Sequence, residues 1–208
     1  MRKRMLGLAL MAMLFTGLMA SPGQATTLSY AATCDNEFWM YISTSPTIQG
    51  TMIGSGTDWG TTYTGSATLT PGVTYYLQVL GINLGEQDGF IGDFTLSGTS
   101  FKFANGTQYM VTNANTAQWF VSPDLATGYY QSPNSVTDYG VNGTGPWGTR
   151  PGIDITANWI WNPNSYNSYD LAYISTAITP VPLPPSVLLL GSGLAGLGLL
   201  RRKWGLKA

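Results

Sequence analysis

The sequence predicts an all-β protein whose middle is one antiparallel sandwich or barrel. Three observations predict it. Short runs rich in Val, Ile, Tyr, Phe, Trp and Thr recur along the middle, bounded by Gly, Pro or Asn. The strongest run alternates with period two, as a strand with one buried face requires. No stretch of the middle shows sustained helical periodicity with caps. The 26 glycines and 12 prolines make turns frequent, and 44% hydrophobic residues speak against a wholly disordered chain.

The predicted strands come in this order along the chain. Residues 37–42 are aromatic and apolar. Residues 63–69 end at the turn Thr70-Pro71-Gly72. Residues 73–82 form the strongest predicted strand, with Val73, Tyr75, Leu77 and Val79 on one face. Residues 89–96 form another. Residues 101–103 and 108–112 flank Ala104-Asn105-Gly106-Thr107, and Asn-Gly is a strong hairpin signal. Residues 157–161 and 171–178 close the domain. The segment 117–121 partly echoes 157–161, but no fixed period recurs, so no repeat is predicted. Residues 123–152, rich in Gly, Pro, Ser and Asn, predict a long surface loop. The whole, residues 26–178, has the size of one domain.

Both ends read as addresses rather than fold. Arg2, Lys3 and Arg4 precede an uncharged apolar stretch over 5–19, and small residues at Gly23 and Ala25 offer cleavage after Ala25. Residues 1–25 are therefore expected to be a signal peptide that engages the Sec export machinery; the apolar run is shorter than the ~20 residues of a membrane helix. Near the other end, the proline-rich stretch 179–185 cannot be helical and predicts a stiff spacer. Residues 186–200 are uncharged and apolar, and Arg201, Arg202 and Lys203 stop them. As a helix this run spans about 22 Å, short of the ~30 Å hydrocarbon core, but snorkelling bases and Trp204 at the interface reduce the gap. The expectation is a transmembrane helix over 186–200 and a basic cytoplasmic tail over 201–208.

Charge and residue inventory exclude several function classes. Between Asp35 and Asp170 stand two bases, Lys102 and Arg150, against ten acids, a net of −8. Such a surface repels phosphate backbones, so no nucleic-acid partner is expected. With no His and one Cys, the chain has no Ser-His-Asp or Cys-His catalytic set, little for a zinc or haem site, and no internal disulfide. Cys34 is expected to act as a small buried hydrophobe. Asn105-Gly-Thr and Asn142-Gly-Thr are expected to mark turns.

The order Val181-Pro182-Leu183-Pro184, short glycine-rich apolar helix, then Arg201, Arg202 and Lys203 resembles the PEP-CTERM sorting signal in a Val-Pro-Leu-Pro variant, with Leu183 where the name-giving motif has Glu. The resemblance implies a protein exported by a Gram-negative, exopolysaccharide-making bacterium. It implies an inner-membrane anchor, at least transient, recognised by an exosortase-type membrane peptidase, and then the cell surface or extracellular matrix. A second resemblance runs from Asp35-Asn36-Glu37-Phe38 through Tyr41-Ile42, Gly54-Ser-Gly-Thr-Asp-Trp59, Tyr63, Leu69-Thr-Pro-Gly72 and Ile82-Asn-Leu-Gly85 to Gly89-Phe-Ile-Gly92. It is similar to the galactose-binding-domain-like β-sandwich, which implies a single jelly-roll-like fold with 123–152 as an insertion.

Residue type singles out the candidate site residues. Exposed aromatic faces stack on the apolar faces of sugar rings. Trp147 lies in Gly145-Pro-Trp-Gly148 with no evident burial partner, and Tyr129, Tyr130 and Tyr139 share that loop; these four are the expected carbohydrate contacts. Loop carboxylates suit calcium, and Asp35, Glu37 and Asp93 are the candidate ligands of a structural ion; no other cofactor is expected. The pairs Asp35/Glu37 and Asp88/Asp93 have the residue types of a glycosidase, but turn acids on an exported β protein are more simply its solubilising surface. The expected function is a non-catalytic surface or biofilm-matrix component in contact with exopolysaccharide. The alternatives are a polysaccharide hydrolase and an inert spacer.

Overall fold

A computed structural model describes residues 25–122, 136–163 and 169–182, together with Gly193. The described chain is all-β. Its strands are β1 (Thr26–Asp35), β2 (Glu37–Ser43), β3 (Thr51–Gly56), β4 (Tyr63–Leu69), β5 (Tyr75–Asn83), β6 (Gly89–Leu96), β7 (Phe101–Phe103), β8 (Tyr109–Val111), β9 (Phe120–Ser122), β10 (Thr137–Val141), β11 (Asn158–Trp161) and β12 (Asp170–Pro180). They form two antiparallel sheets. Sheet one runs β10-β11-β6-β1-β4, with β8 also paired to β6; sheet two runs β3-β2-β5-β12-β7, with β9 also paired to β12. From β3 to β10, consecutive strands alternate between the sheets. Among the described residues no helix is long and apolar enough to cross a membrane; the segments 1–24 and 183–208 lie outside the described residues, apart from Gly193.

Period-two alternation builds the core. On β1, Leu28, Tyr30, Ala32 and Cys34 face inward; on β6, Phe90, Phe94 and Leu96 do; on β5, Leu77 and Val79 do. Phe38, Met40, Trp119, Trp161 and Ile174 fill the space between the sheets. Phe38 meets Tyr63 and Phe90 edge-on at 5.8 and 6.0 Å, and Trp119 lies 5.6 Å from Phe94. Gly54 and Gly65 leave room for Tyr30: a Cβ at either would fall on its phenolic oxygen, which donates to the Ile53 carbonyl. Cys34 is buried and free, and burial holds its thiol well above its ordinary pKa.

Several elements differ from the sequence expectation. β1, β3 and β10 have no counterpart among the predicted strands, and β1 lies inside sheet one, paired to both β4 and β6. The Asn105-Gly106 turn forms, with Gly106 at φ 83°, but it is not a hairpin. β7 pairs with β12 and β8 with β6, so the turn carries the chain from one sheet to the other. The expected loop 123–152 is corrected over its described part: Thr137–Val141 is a strand paired to β11, and the stretch carrying Trp147 packs against sheet one.

Candidate functional site

Outward-facing residues of sheet one carry a second, smaller core. Ala31 on β1, Ile91 on β6 and Trp159 on β11 point away from sheet two. The chain from Asn142 to Ala157, here called the cover segment, lies over them and contributes Trp147, Ile153 and Ala157. The outer face of sheet one is thus buried around Ala31, Ile91 and Trp159, while β4 keeps an exposed outer face. Trp147 stacks on Trp159 with ring centroids 4.3 Å apart and planes 20° from parallel. Gly89 lies beneath the pair; a Cβ there would come within 2.9 Å of Trp159 and 3.2 Å of Trp147.

Asn142 shapes the segment from within. It is buried; its Nδ2 donates to the carbonyls of Arg150 and Ile153 at 3.1 and 2.8 Å, and its Oδ1 accepts the Arg150 amide at 2.7 Å. Asn142-Gly143 therefore marks a turn, as expected, and Gly143 takes φ 102°. The Arg150 side chain reaches back: its guanidinium stands 5.1 Å from the Trp59 ring centroid and donates to the backbone carbonyls of Trp59 and Trp147.

Carboxylates fasten the segment to the sheet. Trp147 Nε1 donates to Asp35 Oδ2 at 2.8 Å, and the Asp154 amide donates to Asp93 Oδ2 at 2.8 Å. Tyr109 Oη donates to Asp154 Oδ2 at 2.8 Å, and Tyr139 Oη donates to Asp88 Oδ1 at 2.5 Å. Burial raises the Asp35 carboxyl above its ordinary pKa; the Trp147 bond opposes this, and Asp88 and Glu86 add to it. Burial also raises Asp93, against the Asp154 amide. Asp154 is lowered, first by the Thr156 hydroxyl. Tyr109 and Tyr139 are both raised, by burial and then by the carboxylates they bond.

The expected site residues therefore separate. Trp147 does not stand free in a loop: it is 4% exposed, one face against Trp159 and its N–H spent on Asp35, so it is a packing residue. Tyr139 is 37% exposed and lies 5.8 Å from Trp147. Tyr129 and Tyr130 lie outside the described residues. Asp35 pairs across the ladder with Gly89 and Asp93 with Ala31, four strand positions away, or about 13 Å. Asp35 and Asp93 are thus not brought together, and among the described residues no three acidic, His or Cys side chains gather to hold a metal. The acids that act on Asp35 are Asp88 and, more weakly, Glu86, a grouping invisible in the sequence, because only the β1–β6 register makes it. Comparison with protein-family models, curated proteins and solved structures finds no match.

Proposed function

We propose that the chain is an exported, non-catalytic component of the cell surface or exopolysaccharide matrix, brought to the inner membrane by a PEP-CTERM-type sorting helix and handed to an exosortase-type peptidase. The observation that carries this reading is the pair of terminal segments bracketing an all-β domain: basic then apolar at 2–19, apolar then basic at 186–203. Sheet alternation from β3 to β10 supports the finer reading of the domain as a jelly-roll-like, galactose-binding-like sandwich. The non-catalytic reading is supported by how the acids are used. Asp35, Asp88, Asp93 and Asp154 each accept a hydrogen bond that holds the cover segment or β10 in place.

Mass spectrometry of the protein from cell fractions tests the reading. The expected result is an N-terminus at Thr26 and a C-terminus near Pro185 in the surface or matrix fraction. An untrimmed chain dissolved in the cytosol overturns it. The neighbouring Asp35 and Asp88 carboxylates favour one second reading, a polysaccharide hydrolase. Turnover of a polysaccharide that Asp88→Asn abolishes, with the fold intact, would replace the first reading with the second.

A further inference from the structure

Away from the cover segment, a cleft of about 800 Å³ opens where β3 and β4, the free edges of the two sheets, approach under the 43–50 loop. That volume lies within the ~300–1,000 Å³ range of small-molecule sites. Its walls carry no Asp, Glu, Lys or Arg. They carry instead Thr44 and Thr51, both exposed residues whose side chains make no hydrogen bond among the described residues; Thr68 borders the cleft from β4, but it stands opposite Thr27 and so points to the outer face, away from Ala67. The apolar parts are Ile42, Ile53, Ala67 and Tyr75, with Ile48 68% exposed.

The loop over the cleft is held rigid from below. Gln78 on β5 is fully buried, and its Nε2 donates to the carbonyls of Ser45 and Ile48, each at 3.1 Å. Its Oε1 accepts the Gly50 amide at 3.1 Å. Ser43 Oγ donates to the Ile48 carbonyl at 2.7 Å and accepts the Ser45 amide. Gly50 is seated so closely on β2 that an added Cβ would fall on the Ile42 carbonyl. The polar groups that shape the loop are thus satisfied internally, and the threonines left over face a wall that is already formed, so little ordering opposes binding.

We propose that this cleft binds a neutral, polyhydroxylated chain, a glycan segment, through the Thr44 and Thr51 hydroxyls with its C–H faces against Ile48, Ile53 and Tyr75. An ionised ligand would enter a cleft that offers no countercharge, on a domain that is itself acidic. An apolar ligand would leave the threonine hydroxyls unpaired. A glycan matches both the hydroxyls and the apolar patches. The proposal rests on the surface or matrix reading above and gives it a ligand class and a place, toward the opposite end of β1 from the Trp147–Asp35 contact.

Hydrogen exchange on the full chain in zwitterionic detergent micelles tests it, with cellohexaose, maltohexaose and mannohexaose as neutral probes and an alginate hexasaccharide as the anionic one. The expected result is slowed exchange over 43–53 and 67–75 with at least one neutral probe, weaker with alginate. In Thr44→Ala/Thr51→Val the dissociation constant rises about tenfold, while unchanged protection of β12 shows the fold intact. Should Thr51→Val on the strand disturb the fold, Thr44→Ala alone makes the same test with a smaller expected loss. Absence of protection with every neutral probe, protection located elsewhere, equal response to alginate, or indifference to these substitutions overturns the proposal. Failure here with the trimmed protein found at the surface removes the ligand and leaves the surface reading; an untrimmed cytosolic chain removes the surface reading whatever the cleft binds.

Discussion

Asp35 and the two indoles above it set the chemistry of the outer face of sheet one at the level of single residues. Trp147 gives its N–H to Asp35, whereas Trp159 Nε1 is buried without a partner among the described residues. Trp147→Phe and Trp159→Phe remove similar ring volume, but only the first leaves Asp35 buried without its donor. Urea unfolding is expected to show Trp147→Phe the costlier by about 1–3 kcal/mol. Truncation to Trp147→Ala is expected to cost about 3–5 kcal/mol. Equal costs for the two Phe variants would show that the Asp35 bond contributes nothing net. The same carboxylate makes stability depend on pH. Its folded pKa is raised, so the folded state binds the proton more tightly than the unfolded chain does. Its contribution is fully present below the ordinary aspartate value of ~3.9 and is lost as pH rises through the folded value. Asn keeps an acceptor for Trp147 and removes the charge. The stability of wild type relative to Asp35→Asn is therefore expected to fall as pH rises above about 4 in thermal unfolding. A difference that grows with pH would contradict the raised value.

At the level of elements, the cover segment behaves as an added layer whose shape depends on Asn142. Asn142→Ala removes three donated contacts, to the carbonyls of Arg150, Ile153 and Asp154, and one accepted bond inside that layer. The expected loss is about 2–3 kcal/mol, with faster hydrogen exchange over 142–157 while β5 and β12 stay protected. Exchange that rises equally in both sheets would mean the layer and the sandwich unfold as one. This layer also marks the limit of what the sequence makes legible. β5 is readable because Leu77 and Val79 alternate with residues of the other face, and the Pro71-Gly72 turn precedes it with Gly72 at φ 82°. β1 carries the same alternation in Leu28, Tyr30, Ala32 and Cys34, but two of the four are small and the segment adjoins the expected cleavage point, which hides it. β3, Thr-Met-Ile-Gly-Ser-Gly, is a glycine-rich edge with little burial to leave a pattern. Trp147 is opaque for another reason. Its hydrogen-bond partner lies 112 residues away, and no local rule reports a contact made by register alone.

For the whole molecule, strand direction gives the sandwich two unlike poles. β1 begins and β12 ends at one pole, where the 97–100 turn bonds to both: the Ser97 amide to the Thr27 carbonyl and the Val181 amide to the Ser100 carbonyl. Lys102, opposite Thr179, lies toward that pole. Asp35, Glu37, Asp88 and Asp170 lie toward the other, by the registers that join β1 to β6, β2 to β5 and β5 to β12. A leash drawn from Pro180 pulls along β12, an inner strand of sheet two held by β5 on one side and by β7 and β9 on the other. Pulled lengthwise, β12 loads its flanking hydrogen bonds together in shear, whereas a peripheral strand peeled sideways gives up one rung at a time. Single-molecule stretching by the C-terminal end should therefore meet high rupture forces, and the same domain grasped by the β3 edge should part at much lower ones.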